Sequence, residues 1–393
     1  MSADLMSKVM EIKDYITGIR RQIHQHPEVG FKEAQTTKLI IKELESYGIE
    51  VVPLSTETGV LGVLKGKKRG GNSSRVTALR ADIDALPIEE QTGVPWASTN
   101  PGVMHACGHD GHTAVLLGVA KILSSMRDQF SGTVKFIFQP AEEKLDGAKS
   151  IIKAGVLENP KPDCIVALHG GIEAPVGSIG LYPGSFMASA DIFKIKLIGV
   201  GAHGAYPHRG KDVILAASQV IGGLNFIVSR EIDAVEKTVL SVCQIHGGSA
   251  FNIIPQEVEL SGNIRCHNKD VRASMEERVE RIVSNIAEAF GCTYELEYQY
   301  GIPQVYNDEQ ITAEIAAAAK SVLGDDKVVN LTRPLMGSED FSFFLEHVPG
   351  AMFRLGIADE NKLQLHNPKF DFPDHALPVG IAVLTKFVLN KNQ

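Results

Sequence analysis

The stretch His105-Ala-Cys-Gly-His-Asp-Gly-His-Thr113 restricts this chain more than any other. It sets Cys107 and His109 two residues apart, with Asp110 and His112 close behind. Thiolate and imidazole are the donors preferred by zinc and its first-row neighbours. The two glycines allow a turn tight enough for Cys107 and His109 to face one centre. The apolar run from Ala114 to Leu123 follows at helical spacing, so the cluster stands where a loop enters a helix. Taken alone, the stretch also reads as a helix start with capping polar residues and an incidental cysteine.

The surrounding segments favour the first reading. Val76 to Leu79 has the pattern of a strand and runs into Arg80-Ala-Asp-Ile-Asp-Ala-Leu-Pro87, placing Asp82 and Asp84 just past its end. Thr133 to Phe138 is a continuous apolar strand run ending in Gln139-Pro-Ala-Glu-Glu143. Asp163 to Leu168 is another, and it delivers His169 followed by two glycines. Loops at strand carboxyl ends are where open α/β sheets keep their sites. Three successive strand ends therefore offer carboxylates or imidazole, with Cys107 and His109 between them. Adjacent carboxylates such as Glu142 and Glu143 are costly to ionise together unless cations compensate.

The rest of the chain supplies the frame. Residues 4 to 25 carry apolar positions at helical spacing (Leu5, Val9, Ile12, Ile16, Ile19, Ile23) and predict one amphipathic helix. A second helix is expected from Lys32 to Tyr47, stopped by Gly48, and then short strands over 49–54 and 59–64. From about Ser185 the order becomes strand 191–198, a glycine-rich loop, apolar helix 213–228, strands 237–245 and 257–264, helix 271–290 and strand 293–298. This β-α-β-β-α-β order is that of a ferredoxin-like α+β unit inserted into the first domain. The loop Gly199 to His208 lacks the spacing of a dinucleotide or phosphate loop. Beyond 300 the α/β character returns: helix 311–322, a helix start at Gly337-Ser-Glu-Asp-Phe341 with Ser338 as cap, strand 351–356, the irregular Leu365-His-Asn-Pro368, and a closing helix over 376–390. The expected organisation is an α/β domain made of 1–184 and 300–393, interrupted by 185–299.

Bulk properties remove several function classes. The 393 residues exceed one ordinary core. A net charge of -8 without a long basic run argues against nucleic acid. No apolar stretch is read as long enough to span a bilayer, and the N-terminus lacks the apolar core of a signal peptide. The five cysteines (Cys107, Cys164, Cys243, Cys266, Cys292) are odd in number and scattered, which predicts reduced thiols and a cytoplasmic setting.

Six segments together carry a resemblance: Arg80 to Pro87, His105 to Thr113, Gln139 to Glu143, Gly201-Ala-His-Gly-Ala-Tyr-Pro-His208, Asn252-Ile-Ile-Pro255 and Leu365 to Pro368. Over essentially its whole length the chain resembles the dimetal aminoacylase/carboxypeptidase superfamily. Within it, the chain is most similar to the amidohydrolase branch of hippurate hydrolases, indole-acetyl-amino-acid hydrolases and N-acetyldiaminopimelate deacetylases. The resemblance implies a mixed-sheet α/β/α dimetal-peptidase domain whose insertion is a lid and dimerisation domain. It implies two divalent metal ions per subunit, zinc or manganese, held by Cys107, His109, Glu143, His169 and His366, with Cys107 bridging where most of the wider superfamily uses aspartate. Glu142 is implied as general base toward a metal-activated water and Asp84 as the residue that orients a ligand. His203 would stabilise the oxyanion and reach a neighbouring subunit's site in a homodimer, and Asn252 and Arg265 would hold the substrate carboxylate. The implied reaction is amide hydrolysis of N-acyl-L-amino acids. A dipeptidase or carboxypeptidase is the alternative within the same chemistry. A non-catalytic metal-dependent binding protein is the alternative outside it, and would have no need of the spare Glu142. His112 reads as a packing or hydrogen-bonding residue behind the site; His24, His26, His208, His246 and His375 read as structural or loop residues.

Overall fold

A computed structural model describes residues 2–358 and 364–393. The chain divides into two compact units: residues 1–184, 306–333 and 339–393 form the first, and residues 185–305 with 334–338 form the second.

The first unit is built on an eight-stranded sheet. Its middle consists of Thr133–Gln139, Val76–Asp82, Cys164–Pro175 and Gly350–Ala358, paired in parallel in that order. Val76–Asp82 and Thr133–Gln139 are buried at every position, which explains why they read as unbroken apolar runs rather than alternating ones. Val60–Lys65 and Glu50–Val52 extend one side antiparallel; Ile179–Leu181 and Val328–Asn330 complete the other. The helix His109–Ser125 is buried over nearly all its circumference, packed against the sheet, Lys13–Gln25 and Leu377–Lys391. A helix apolar all round has to lie inside.

Three expectations change here. The N-terminal stretch is two helices, Ser2–Glu11 and Lys13–Gln25, broken where Ile12 takes φ −98 and ψ −1. Leu5, Val9, Ile16, Ile19 and Ile23 are buried in one core, so the periodicity crosses the break and hides it. The strand expected to end at Leu168 runs through His169 to Pro175, with His169 opposite Arg354, so His169 sits inside a strand rather than at its end. Gly170 and Gly171, which follow it, remain in the ladder; a Cβ on Gly171 would lie 2.8 Å from Arg354 Cδ. Finally, Ser338 caps nothing. The only helix there is the single turn Ser342–Leu345, and Glu339 Oε1 accepts the Phe341 N–H at 3.1 Å.

The second unit has the order Thr238–Gly247, Glu257–Cys266, Ala190–Ile198, Thr293–Ile302, antiparallel throughout. Helices Val213–Phe226 and Lys269–Ala289 pack against each other and the sheet. Each helix is capped as its sequence suggests, by Asp212 accepting from Ile214 and Leu215 and by Asn268 accepting from Asp270 and Val271. The first of these helices continues through a π-turn to Glu231, making 19 residues that are long and apolar enough to cross a membrane by length and composition. The expectation of no such stretch is corrected: the π-turn adds residues beyond Val228. In this unit the helix buries Val213, Ala216, Ala217, Val220, Leu224 and Ile227, while Ile214, Leu215 and Phe226 stay exposed.

One buried polar cluster ties the first unit together. Arg20 donates to Asp110 at 2.7 Å and also reaches Asp371 and Asp374. His24 lies 2.8 Å from Asp110 and 3.3 Å from Glu90. Burial disfavours a charged His24, but Asp110 and Glu90 outweigh it and raise its pKa to about 9. A histidine raised in the folded state stabilises fully below its unfolded value near 6.5 and loses that contribution as pH rises through about 9. Urea unfolding of the parent and of His24→Gln should therefore show a stability difference that is large at pH 6.5 and shrinks toward pH 10. A difference independent of pH would mean His24 is neutral in the folded protein.

Candidate metal centre

Cys107 and His109 are separated by Gly108, which adopts φ 86 and starts the helix His109–Ser125. A Cβ on Gly108 would stand 2.8 Å from the Phe372 ring, and one on Gly111 2.7 Å from it. Gly108 therefore makes the turn, whereas Gly111 is helical and makes room for the aromatic ring. Glu142 and Glu143 follow the strand Thr133–Gln139 in a single 3₁₀ turn flanked by two left-handed residues, Ala141 (φ 50) and Leu145 (φ 62). His366 is also left-handed, at φ 65, and its N–H donates to Ala106 O at 2.8 Å. Left-handed backbone at non-glycine residues is costly and gathers at functional sites.

These segments bring five candidate donors together. Cys107 Sγ is 3.5 Å from His169 Nε2 and 3.4 Å from His366 Nε2. His366 Nε2 is 3.4 Å from Glu143 Oε1, which is 3.9 Å from His109 Nε2. Such separations suit atoms that share ions at metal–ligand distances of about 2.0–2.3 Å. Two observations test the fit further. His109 Nε2 and Glu143 Oε1 are buried without a hydrogen-bond partner among the described residues, an expensive condition that a cation would relieve. Burial pushes the Cys107 thiol up to about 12, so a cation is needed to hold it as thiolate near neutral pH.

The surroundings orient this set. His109 Nδ1 faces Asp84 twice, at 3.0 Å from its carbonyl and 3.2 Å from its carboxylate. The same carboxylate accepts the N–H groups of Glu142 and Glu143, each at 3.1 Å. His112 lies among possible donors, but both its nitrogens are engaged: Nδ1 with Asp82 at 2.6 Å and Nε2 accepting from Gly170 N at 2.8 Å. That fixes its tautomer and leaves no lone pair for an ion. Burial disfavours an ionised Asp82, but His109, His112 and Arg80 hold it well below the usual carboxylate range. Burial keeps His169 neutral, helped by His112 and Arg354.

Glu142 Oε2 lies 3.9 Å from His109 Nε2. Burial, then Glu339, Asp340 and Glu143, raise its pKa well above the ordinary value. Glu339 and Asp340 escaped the sequence reading, which took them for the first turn of a helix. They meet the wholly buried Arg80, whose guanidinium donates to Asp82 (2.7 Å), Glu339 (2.9 Å), Asp340 (3.1 Å) and Gln139 (2.8 Å). Two adjacent acids before Phe341-Ser-Phe-Phe344 were a signal of burial that could have found them.

The remaining candidates belong to the second unit. His203 is exposed on the two-residue strand Ala202–His203, and its Nδ1 accepts the Ala205 N–H at 3.1 Å. Its strand pairs with Ile253–Ile254, and the exposed Asn252 accepts the Gly204 N–H at 2.8 Å through its carbonyl. Arg265, half-buried, donates to Ser338 Oγ at 2.6 Å, which accounts for the hydroxyl once read as a cap.

A thiol, imidazoles and carboxylates gathered around the carboxyl ends of parallel strands define a metal-dependent hydrolase. The family profile of Peptidase family M20/M25/M40 matches residues 78–390. The chain is 40% identical over 367 residues to the N-acetyl-L-cysteine deacetylase of Bacillus subtilis (93% of this chain, 85% of that protein). It is 43% identical over 303 residues to the N-acyl-L-amino acid amidohydrolase of Geobacillus stearothermophilus (77% of this chain, 80% of that protein). The crystal structure of the Bacillus subtilis YXEP protein, described as a dinuclear metal binding peptidase from the M20 family, superposes with a TM-score of 0.85 at 34% identity, covering 98% of this chain and 99% of that one. This chain belongs to the M20/M25/M40 peptidase family and is a metal-dependent amidohydrolase with a site for two divalent ions.

After exhaustive chelation, the parent should regain two equivalents of divalent ion per chain by equilibrium dialysis and elemental analysis, and Cys107→Ala one or fewer. Two tightly held equivalents in the variant would show that the thiol is not shared.

Proposed function

We propose that this protein hydrolyses the amide bond of N-acyl-L-amino acids, releasing a carboxylate and a free amino acid. One observation carries the reading: Glu142, a buried carboxylate whose Oε2 lies 3.9 Å from His109 Nε2, stands within reach of His109 and Glu143 and also of Glu339 and Asp340, and is additional to the Cys107, Glu143 and His366 group. The names of the relatives support the acyl-amino-acid class. In this reading Cys107, His109, Glu143, His169 and His366 would hold two ions. Bound there, the ions would supply Lewis acidity and make a water acidic enough to deprotonate near neutral pH. Thiolate favours zinc, while imidazole and carboxylate also suit manganese, so either ion fits this donor set.

The protein's own groups do the rest. Glu142 removes a proton from the attacking water as its oxygen bonds to the amide carbon. The proton then passes from Glu142 to the leaving nitrogen as the C–N bond breaks. Asp84 holds His109 in orientation and keeps both glutamate amides in place. His203 stabilises the charge developing on the carbonyl oxygen. Asn252 and Arg265 bind the substrate carboxylate, for which a guanidinium fork is well shaped. Cys107 must stay reduced to serve as thiolate, which fits a cytoplasmic setting.

We also infer a homodimer formed through the inserted unit. Thr238–Gly247 ends its sheet with an open edge, and Ile214, Leu215 and Phe226 expose apolar surface on a helix of the same unit.

Glu142→Gln should keep both ions and lose turnover of N-acetyl amino acids and hippurate by about 10²–10⁴-fold. Parental turnover would refute the base assignment, and a panel that cleaved only dipeptides would redirect the substrate class. If His203 serves the partner's site, mixing and re-equilibrating the inactive dimers of Glu142→Gln and His203→Ala should restore roughly a quarter of parental activity, the statistical yield of sites intact in trans. No recovery on demonstrated subunit exchange would place His203 within its own subunit's chemistry or outside it.

A further inference from the structure

The turn bearing Glu142 and Glu143 is held by three consecutive backbone N–H groups, and all three end on carboxylates. Asp84 accepts those of Glu142 and Glu143; the third, from Ala141, donates to Glu33 Oε1 at 2.8 Å. Glu33 is fully buried. It stands at the N-cap position of the helix Ala34–Ser46, yet its side chain makes no capping bond. That task falls to Glu28, whose carboxylate accepts the N–H groups of Gln35 and Thr36 at 2.9–3.0 Å. Glu33 is thus released from the helix end and aimed at the turn. Gly30 keeps the approach close, since a Cβ there would sit 2.9 Å from Ala141 Cα and 3.3 Å from Asp84 Oδ2.

The contact falls where the backbone is least comfortable. Ala141 is left-handed at φ 50, a conformation that alanine rarely takes unless its surroundings impose it. Without an acceptor for its N–H, the turn can relax toward ordinary backbone, moving the next two side chains together. We propose that Glu33 is a positioning residue for the reaction: its carboxylate locks Ala141 in the left-handed turn and so sets where Glu142 and Glu143 stand. The proposal rests on the assignment of those two glutamates as base and metal ligand.

The experiment compares the holoenzyme of the parent with Glu33→Ala, Glu33→Gln and Glu142→Gln. It reads kcat and KM on an N-acetyl amino acid, zinc and manganese affinity by chelator competition, and amide exchange across residues 139–145. Glu33→Ala should lower kcat about 10–100-fold with KM within twofold, weaken one of the two ions about 10–100-fold, and speed exchange in the turn. Glu33→Gln keeps an acceptor of the same shape and should restore all three. If Glu33→Ala cannot be purified folded, Glu33→Met fills the volume without an acceptor and takes its place. A variant lacking the acceptor that keeps parental kcat and ion affinity overturns the proposal, even if its thermal stability falls. So does a Glu33→Gln that fails to rescue. Parental turnover in Glu142→Gln would instead remove the base assignment, and ion affinity would still test whether Glu33 positions Glu143.

Discussion

The first unit is arranged around a concentration of negative charge that its own cations do not balance. Asp82, Asp84, Glu142, Glu143, Glu339 and Asp340 are linked through His109, Arg80 and one another, all buried or nearly so. Arg80 answers three of them directly. His109 faces Asp84 and approaches Asp82, Glu142 and Glu143. Deep burial of unpaired carboxylates is prohibitive, so protons or cations have to offset the charge at this cluster. Proton and metal ion compete for that role. Burial opposes a charged His109, yet Asp82 and Cys107 raise its pKa well above the ordinary value, and an arriving ion would displace the proton.

The candidate site residues were legible from the motifs and from the resemblance those motifs carry. The resemblance offered Cys107, His109, Glu143, His169 and His366 as ligands and Glu142 as base, and the structure brings these side chains within a few ångströms of one another. The inserted unit was legible for a different reason. Its strands have one face on the helices and one in water, as in the alternating burial of Glu257–Cys266, and alternation of period two survives in a single sequence. The βαββαβ order then leaves few possible sheets.

What stayed hidden depended on tertiary partners. Glu339 and Asp340 look like an acidic first turn until Arg80, 259 and 260 residues away, is brought to them. Glu33 looks like a helix cap, because nothing local says that Glu28 already does the capping. His112, by contrast, reads as a hydrogen-bonding residue behind the site, and both its nitrogens are so engaged. The break at Ile12 and the continuation of the strand past His169 were missed because an apolar stripe and a glycine pair each tolerate two backbone paths. The π-turn that lengthens the apolar helix leaves no compositional mark at all.

The pairs that aim the donors do not involve the ions. His112 rests on Asp82, the glutamate turn hangs from Asp84, and Arg20 links Asp110, next to His109, with Asp371 and Asp374 on the segment after His366. The cradle therefore stands ready before anything fills it. An ion that arrives meets side chains already set in place and needs little rearrangement of the protein to bind.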